Sequence, residues 1–118
     1  MASHPIDGQP LLLAAAQASV GPASLPGLLT RAQSLLGPRI DRYRRRYEVA
    51  VETDERAAFF VEAGHWDALA DEFDLPDRKA DAVRRAHEAQ LLFDGNATGR
   101  REEFEAALDL REVVVIGR

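Results

Sequence analysis

Arg42 to Tyr47, the run RYRRRY, interleaves guanidinium groups with aromatic rings. That mixture holds phosphates and stacks on unpaired bases, so the ligand class it suggests is RNA or single-stranded DNA, with Arg44, Arg45 and Arg46 at its densest part. The competing reading, which we favour, is a helix face whose arginines pair with the chain's own acids while Tyr43 and Tyr47 turn into the core. His65 and His87 would share a metal if their helices met, with Asp67 or Glu88 completing the shell. No characteristic ligand spacing supports this, and no metal is expected. Glu102 and Glu103 are adjacent on a helix and point in different directions, which argues against a carboxylate pair for acid–base work. There are no cysteines, so disulfides, thiolate metal sites and cysteine nucleophiles are excluded. No nucleophile elbow, phosphate loop or dinucleotide fingerprint occurs; neither a cofactor nor an enzymatic role is expected.

These residues need elements to position them. Residues 1–9 carry Pro5 and Gly8 without apolar rhythm and are expected to form a flexible arm. Pro10 suits a first helical position, and Leu11 to Val20 predicts an apolar helix rather than a signal-peptide core, since no basic residue precedes it. Ser24 is placed to cap a second helix carrying Leu25, Leu28, Leu29, Ala32, Leu35 and Leu36, and the two should form a hairpin. A third helix puts Ile40, Tyr43 and Tyr47 on one face. From Glu48 to Thr53 the pattern alternates as a strand does, and Ala57 to Glu62 is placed to return as its partner, which predicts a β-hairpin over Tyr47 to Glu62 in competition with a helix from Asp54 onward. Arg100 to Leu110 is amphipathic. Val113 to Ile116 is β-branched, prefers a strand, and needs that hairpin as its partner.

The stretch from His65 to Phe93 predicts two helices separated by Leu75-Pro76-Asp77, the first presenting Trp66, Leu69, Ala70 and Phe73. Asp77 is placed to cap the second, which should run to about Leu92 and stop at Asp94-Gly95-Asn96. Between Leu69 and Arg85 the pattern resembles a helix-turn-helix unit, with Ala70 as the small residue, Phe73 and Leu75 as the apolar turn positions, and Ala80 and Val83 as packing residues. The resemblance implies that Arg78, Lys79, Asp81, Ala82 and Arg85 face a DNA groove. Asp74 departs from it by standing where the family usually has glycine. Charge departs too: Asp77 to Arg85 carries four positive residues against two negative, but His65 to Phe93 carries four against seven. That surface repels phosphate as readily as it attracts it, and packing is the preferred reading.

The chain has 118 residues, one domain's worth, with a net charge of −5 that argues against generic nucleic-acid coating. Of 15 basic residues only Lys79 is a lysine. Acidic excess, scarce lysine and abundant alanine fit a salt-loving organism. RYRRRYE, GHW, VRRAHEAQ and REEFEAALDLREVVVIGR are similar to an uncharacterised family of small proteins of halophilic archaea, a resemblance that carries no activity with it. The expectation is one α+β domain over residues 1–118, mostly helical with a small antiparallel sheet; an all-α domain is the alternative. The expected role is a non-enzymatic, cytoplasmic binding or regulatory module that shows helical surfaces to a protein partner or to itself as a homodimer, away from membranes. The alternative is a helix-turn-helix-like DNA-binding protein.

Overall fold

In the computed structural model, which describes residues 4–118, the order is α1 (Gly8–Ala18), α2 (Leu25–Leu36), a 3-10 turn (Gly37–Arg39), α3 (Ile40–Arg46), β1 (Glu48–Glu52), β2 (Arg56–Glu62), α4 (His65–Phe73), α5 (Asp77–Thr98), α6 (Arg101–Leu108) and β3 (Arg111–Gly117). This is the mostly helical α+β fold with a small antiparallel sheet, ordered β1-β2-β3. The all-α alternative fails at Asp54. There the chain turns instead of coiling, because the Thr53 hydroxyl accepts the N–H groups of Glu55 and Arg56 at 3.1 and 3.2 Å. The returning strand pairs Phe60 with Glu48 on one side and with Val113 on the other. Ala57 to Val61 are all buried, so β2 has no polar face and its apolar run mimicked a helix.

Consecutive strand residues point to opposite faces. Phe59 packs on Tyr43 of α3 at 5.8 Å between ring centroids, and Phe60 on Phe104 of α6 at 6.0 Å, so helices cover the sheet on both sides. The outer edge of β3 is closed by side chains. Val113 accepts the Trp66 indole N–H at 2.8 Å, Val115 donates to His87 Nδ1 at 2.8 Å, and the Gln33 amide bridges the Val115 carbonyl and the Gly117 N–H at 2.7 and 2.9 Å. Each supplies what a fourth strand would have supplied. Glu112 of the same strand caps α4 from outside, accepting the Gly64 and Trp66 N–H groups at 3.1 and 2.8 Å.

One buried charge ties the layers together. Arg56, only 7% exposed, grips Asp94 of α5 through Nε and Nη2 at 3.0 Å each, and also donates to Asp7 and to the Pro5 carbonyl at 3.1 Å. Fully buried Gln90 completes the knot: its amide N–H donates to Asp7 and Asp94 at 3.1 Å, and its carbonyl accepts the Asp7 N–H at 2.7 Å. Residues 4–9, part of the expected arm, are therefore anchored, and Ile6 is buried beside them. The rest of that arm lies outside the described residues.

Several boundaries differ from expectation for identifiable reasons. Helix α1 starts at Gly8 and packs chiefly on α5, touching α2 only slightly, so the expected hairpin of the first two helices is loose. Ser24 makes no cap bond: its backbone is helical (φ −88°, ψ −29°) where a capping serine is extended, and Pro26 has no N–H to offer. Asp77 does not cap α5 either; it is already helical, and Pro76 takes the capping position. At the α4–α5 turn Asp74 adopts the left-handed conformation that glycine favours (φ 58°), closed by a 2.9 Å bond from the Leu75 N–H to the Ala70 carbonyl. Helix α5 runs through Asp94-Gly95-Asn96 and ends instead at Gly99 (φ 73°). Gly95 is there for close approach, since a Cβ would sit 2.8 Å from Phe104 Cδ2 and 3.0 Å from the Arg101 Cα.

Two stability experiments test this fold. Gly95→Ala should destabilise by about 1–3 kcal/mol through overpacking, although helix propensity alone favours alanine by about 1 kcal/mol; a stabilised variant in urea unfolding contradicts the packing role. His87 accepts a backbone N–H through Nδ1, and its Nε2 has no partner among the described residues. Burial, with a smaller push from His4, lowers its pKa to about 3. The unfolded chain binds a proton below about pH 6.5 that the native ring refuses. Stability should therefore be full above about pH 6.5 and fall towards pH 3 by about 1.4 kcal/mol per unit. His87→Gln should remove that component, and parallel pH curves for the two proteins would refute it.

Candidate functional site

Helix α3 divides its residues sharply between core and solvent. Tyr43, 3% exposed, lies among Tyr47, Phe59 and His65. Its hydroxyl meets His65 Nε2 at 2.6 Å, and His65 Nδ1 meets Glu62 Oε1 at 3.0 Å. With the neutral ring, Nδ1–H donates to the carboxylate and Nε2 accepts from the tyrosine. Burial, reinforced by Tyr47, pushes the Tyr43 hydroxyl up to about 12, so it stays a protonated donor. Against burial, which would raise it, the His65 hydrogen bond holds the Glu62 carboxyl below its usual range. The tyrosine is shut away from solvent, and this relay-like chain fastens α3, β2 and α4 to one another.

The arginines of α3 behave differently from one another. Arg44 is spent on Glu52, at 2.8 and 2.6 Å. Arg42, Arg45 and Arg46 make no ion pair among the described residues; Arg45 and Arg46 are exposed, as is Arg42. The Arg46 guanidinium lies 5.8 Å from the Tyr47 ring. Only part of the expected Arg44, Arg45 and Arg46 set is thus available to a ligand, and Arg42 joins it.

His65 and His87 are not brought together as a metal pair. Each ring is engaged elsewhere, His65 by Tyr43 and Glu62 and His87 by Val115 and the Trp66 ring at 4.7 Å. Among the described residues no group of three or more His, Asp or Glu side chains is arranged to hold a metal ion.

In the α4–α5 unit, Phe73, Leu75 and Val83 are buried where the helix-turn-helix resemblance expects apolar packing. Of the residues it aims at DNA, Arg78 and Lys79 are exposed on the first turn of α5. Arg85 is bonded to Asp81 at 2.8 Å, while Ala82 is fully buried and cannot face a groove. Beyond that turn α5 is the central buried helix, contributing Val83, Ala86, His87, Gln90 and Leu91 to the interior. A cleft of about 360 Å³ between α4 and α5 is lined by Asp67, Asp71, Asp77 and Asp81, with Arg84 its one cation.

A larger cleft of about 620 Å³ opens where residues 4–7, α2, the β1–β2 turn and Gly117–Arg118 meet above Arg56. Most of its polar side chains are already committed, the carboxylates of Asp54 and Glu55 on the β1–β2 turn being the exceptions. Thr30 donates to Pro26, Ser34 to Arg31 and Arg118 to Thr53, and Gln33 holds β3. Arg56 escapes a reading of the sequence because its partners are distant along it: Gln90 and Asp94 are one turn apart on α5, but Arg56 lies 38 residues before Asp94. The one local signal is an arginine opening an otherwise apolar strand.

The outer face of α1 is uncharged, with Leu12, Leu13 and Ala16 flanked by Gln9 and Gln17. Pro10, Leu11, Ala14, Ala15 and Ala18 are buried, yet Leu12 and Leu13 are 58% and 52% exposed. No charged residue occurs between Asp7 and Arg31. No helix of the described residues is long and apolar enough to cross a membrane.

No curated protein and no solved structure matches the chain. A family model does, over residues 4–118, from the anchored N-terminal segment through β3, and the protein accordingly belongs to the family described as domain of unknown function DUF8048.

Proposed function

We propose that the protein is a non-enzymatic binding or regulatory module of the cytoplasm that docks a protein partner, or a second copy of itself, on the outer face of α1. The observation that carries this reading is the pair Leu12 and Leu13, more than half exposed on an uncharged helix in a chain where 30% of residues are charged. Two leucines side by side in water are what an interface would cover. The sheet is a poor docking site by comparison. The outer edge of β3 is closed, and β1 is short, bulged at Ala50, flanked by Glu48 and Glu52, and has the Ala50 carbonyl occupied by Arg100 at 2.9 Å. The DNA reading is set aside because α5 is largely interior and the groove beside it is lined by aspartates.

The test is the assembly state of Leu12→Glu/Leu13→Glu against the parent, together with a photo-crosslinker placed at position 13. Folding should be unchanged by circular dichroism, since both residues face solvent. Mass by light scattering should fall to the monomer if the partner is a second copy, or a discrete crosslinked protein should vanish in the variant if it is not. A parent chain that is monomeric at every concentration and yields no crosslink overturns the reading. We also read the excess of carboxylates as adaptation to concentrated salt of the archaeal kind. Raising salt from about 0.1 to about 1 M shortens the screening length from about 10 to about 3 Å, and should raise the melting temperature by relieving the net charge; a lowered melting temperature counts against it.

A further inference from the structure

Arg42, Arg45 and Arg46 stand at i, i+3 and i+4, so they share the solvent side of α3 while Tyr43 turns into the core. Most of the chain's other guanidiniums are neutralised, Arg39 with Glu72, Arg44 with Glu52, Arg100 with Glu103 and Arg111 with Glu48, and the others without an ion pair among the described residues, Arg31 and Arg78, stand singly on different helices. Carboxylates outnumber basic residues by 20 to 15, so the lack of partners on α3 does not come from a shortage of acids. Asp41, in the first turn, is the one acid on the helix, and the three guanidiniums are left without an ion-pair partner among the described residues.

We propose that this arginine face is a contact site for the phosphate backbone of a nucleic acid, bound without sequence preference. Three features choose that ligand. Guanidiniums are planar multiple donors suited to phosphate oxygens, and three without ion-pair partners on one side of a short helix, Arg42 at i,i+3 and i,i+4 spacing from the other two, present a dense positive charge. None of the exposed large apolar side chains lies on α3, whereas a protein-binding patch needs an apolar centre and nucleic-acid interfaces are polar and positive. The aromatic half of the RYRRRY run is not offered for stacking. Tyr43 is buried, and Tyr47 is held by Tyr43 and His65 at 5.1 and 5.5 Å with its hydroxyl towards Glu62. Contact with the backbone and not with the bases follows from that. This site is separate from the α1 face and stands or falls independently of it.

The experiment is fluorescence anisotropy with a labelled DNA single strand of about twenty nucleotides, the matching RNA and the duplex, across a salt series in which circular dichroism shows the chain folded. Three phosphate contacts give a slope of log affinity against log salt of about −2 to −3, or roughly tenfold weaker binding for a threefold rise in salt. Arg42→Ala/Arg45→Ala/Arg46→Ala should abolish binding. Should that variant misfold, Arg45→Ala alone should reduce the slope by about 1. Arg78→Ala/Lys79→Ala/Arg85→Ala should bind like the parent. Polyglutamate of similar charge serves as the acidic-protein probe. No binding to any nucleic acid, an unchanged affinity in the arginine variants, loss in the Arg78 set instead, or tighter binding to polyglutamate than to the oligonucleotides would each overturn the assignment.

Discussion

Burying a guanidinium costs several kcal/mol unless nearly all of its hydrogens are received, and Arg56 sits at the start of the central strand with almost no exposure. Its position is tolerable only because Asp94, Asp7 and Pro5 converge on it from α5 and the N-terminal segment. The hydrogen bond to Asp94 leads the effects that raise its pKa, against the opposing pull of burial. Four places in the chain, near residues 5–7, 56, 90 and 94, must therefore assemble together or not at all. That requirement fixes where α5 lies against the sheet and holds the segment that leads into α1.

With α5 so placed, the other polar closures follow. His87 and Trp66 come up against the edge of β3, and Gln33 from α2 completes it. An edge sealed by side chains can be buried on both faces, and Val113 to Ile116 have essentially no exposure. The same placement denies α5 the role of a protruding recognition helix. Helix-turn-helix spacing and buried helix-pair spacing share their apolar positions, and what separates them is what lies on the far side of the second helix. Here α1 and β3 lie there.

The strand segments were legible because β-branched runs need partners and the hairpin was the sole candidate. Tyr43 was legible as a core residue because its neighbours at helical spacing were apolar. Gly95 misled, since a glycine beside asparagine reads as a stop when its real reason, the ring of Phe104, is supplied by another helix. The Arg56 knot left almost no trace, because ion pairs between distant segments have no periodicity. The availability of arginines on α3 was half legible: the cluster shows in the sequence, but Glu52 removes Arg44 from it and the helical phase adds Arg42. Surface function is written in what the interior leaves over, and that is settled only after the interior is assembled.

On this account α1 and α3 are available because the interior needs neither the outward leucines of one nor the outward arginines of the other. The claim beneath it is that Arg56 and Asp94 act as a unit, and a double-mutant cycle in urea unfolding tests that directly. Arg56→Met and Asp94→Leu should each cost about 3–5 kcal/mol by stranding a buried charge, while the double variant should cost no more than either single one. Additive losses within about 0.5 kcal/mol would mean that the two residues contribute independently, and the proposed centre of the fold would be wrong.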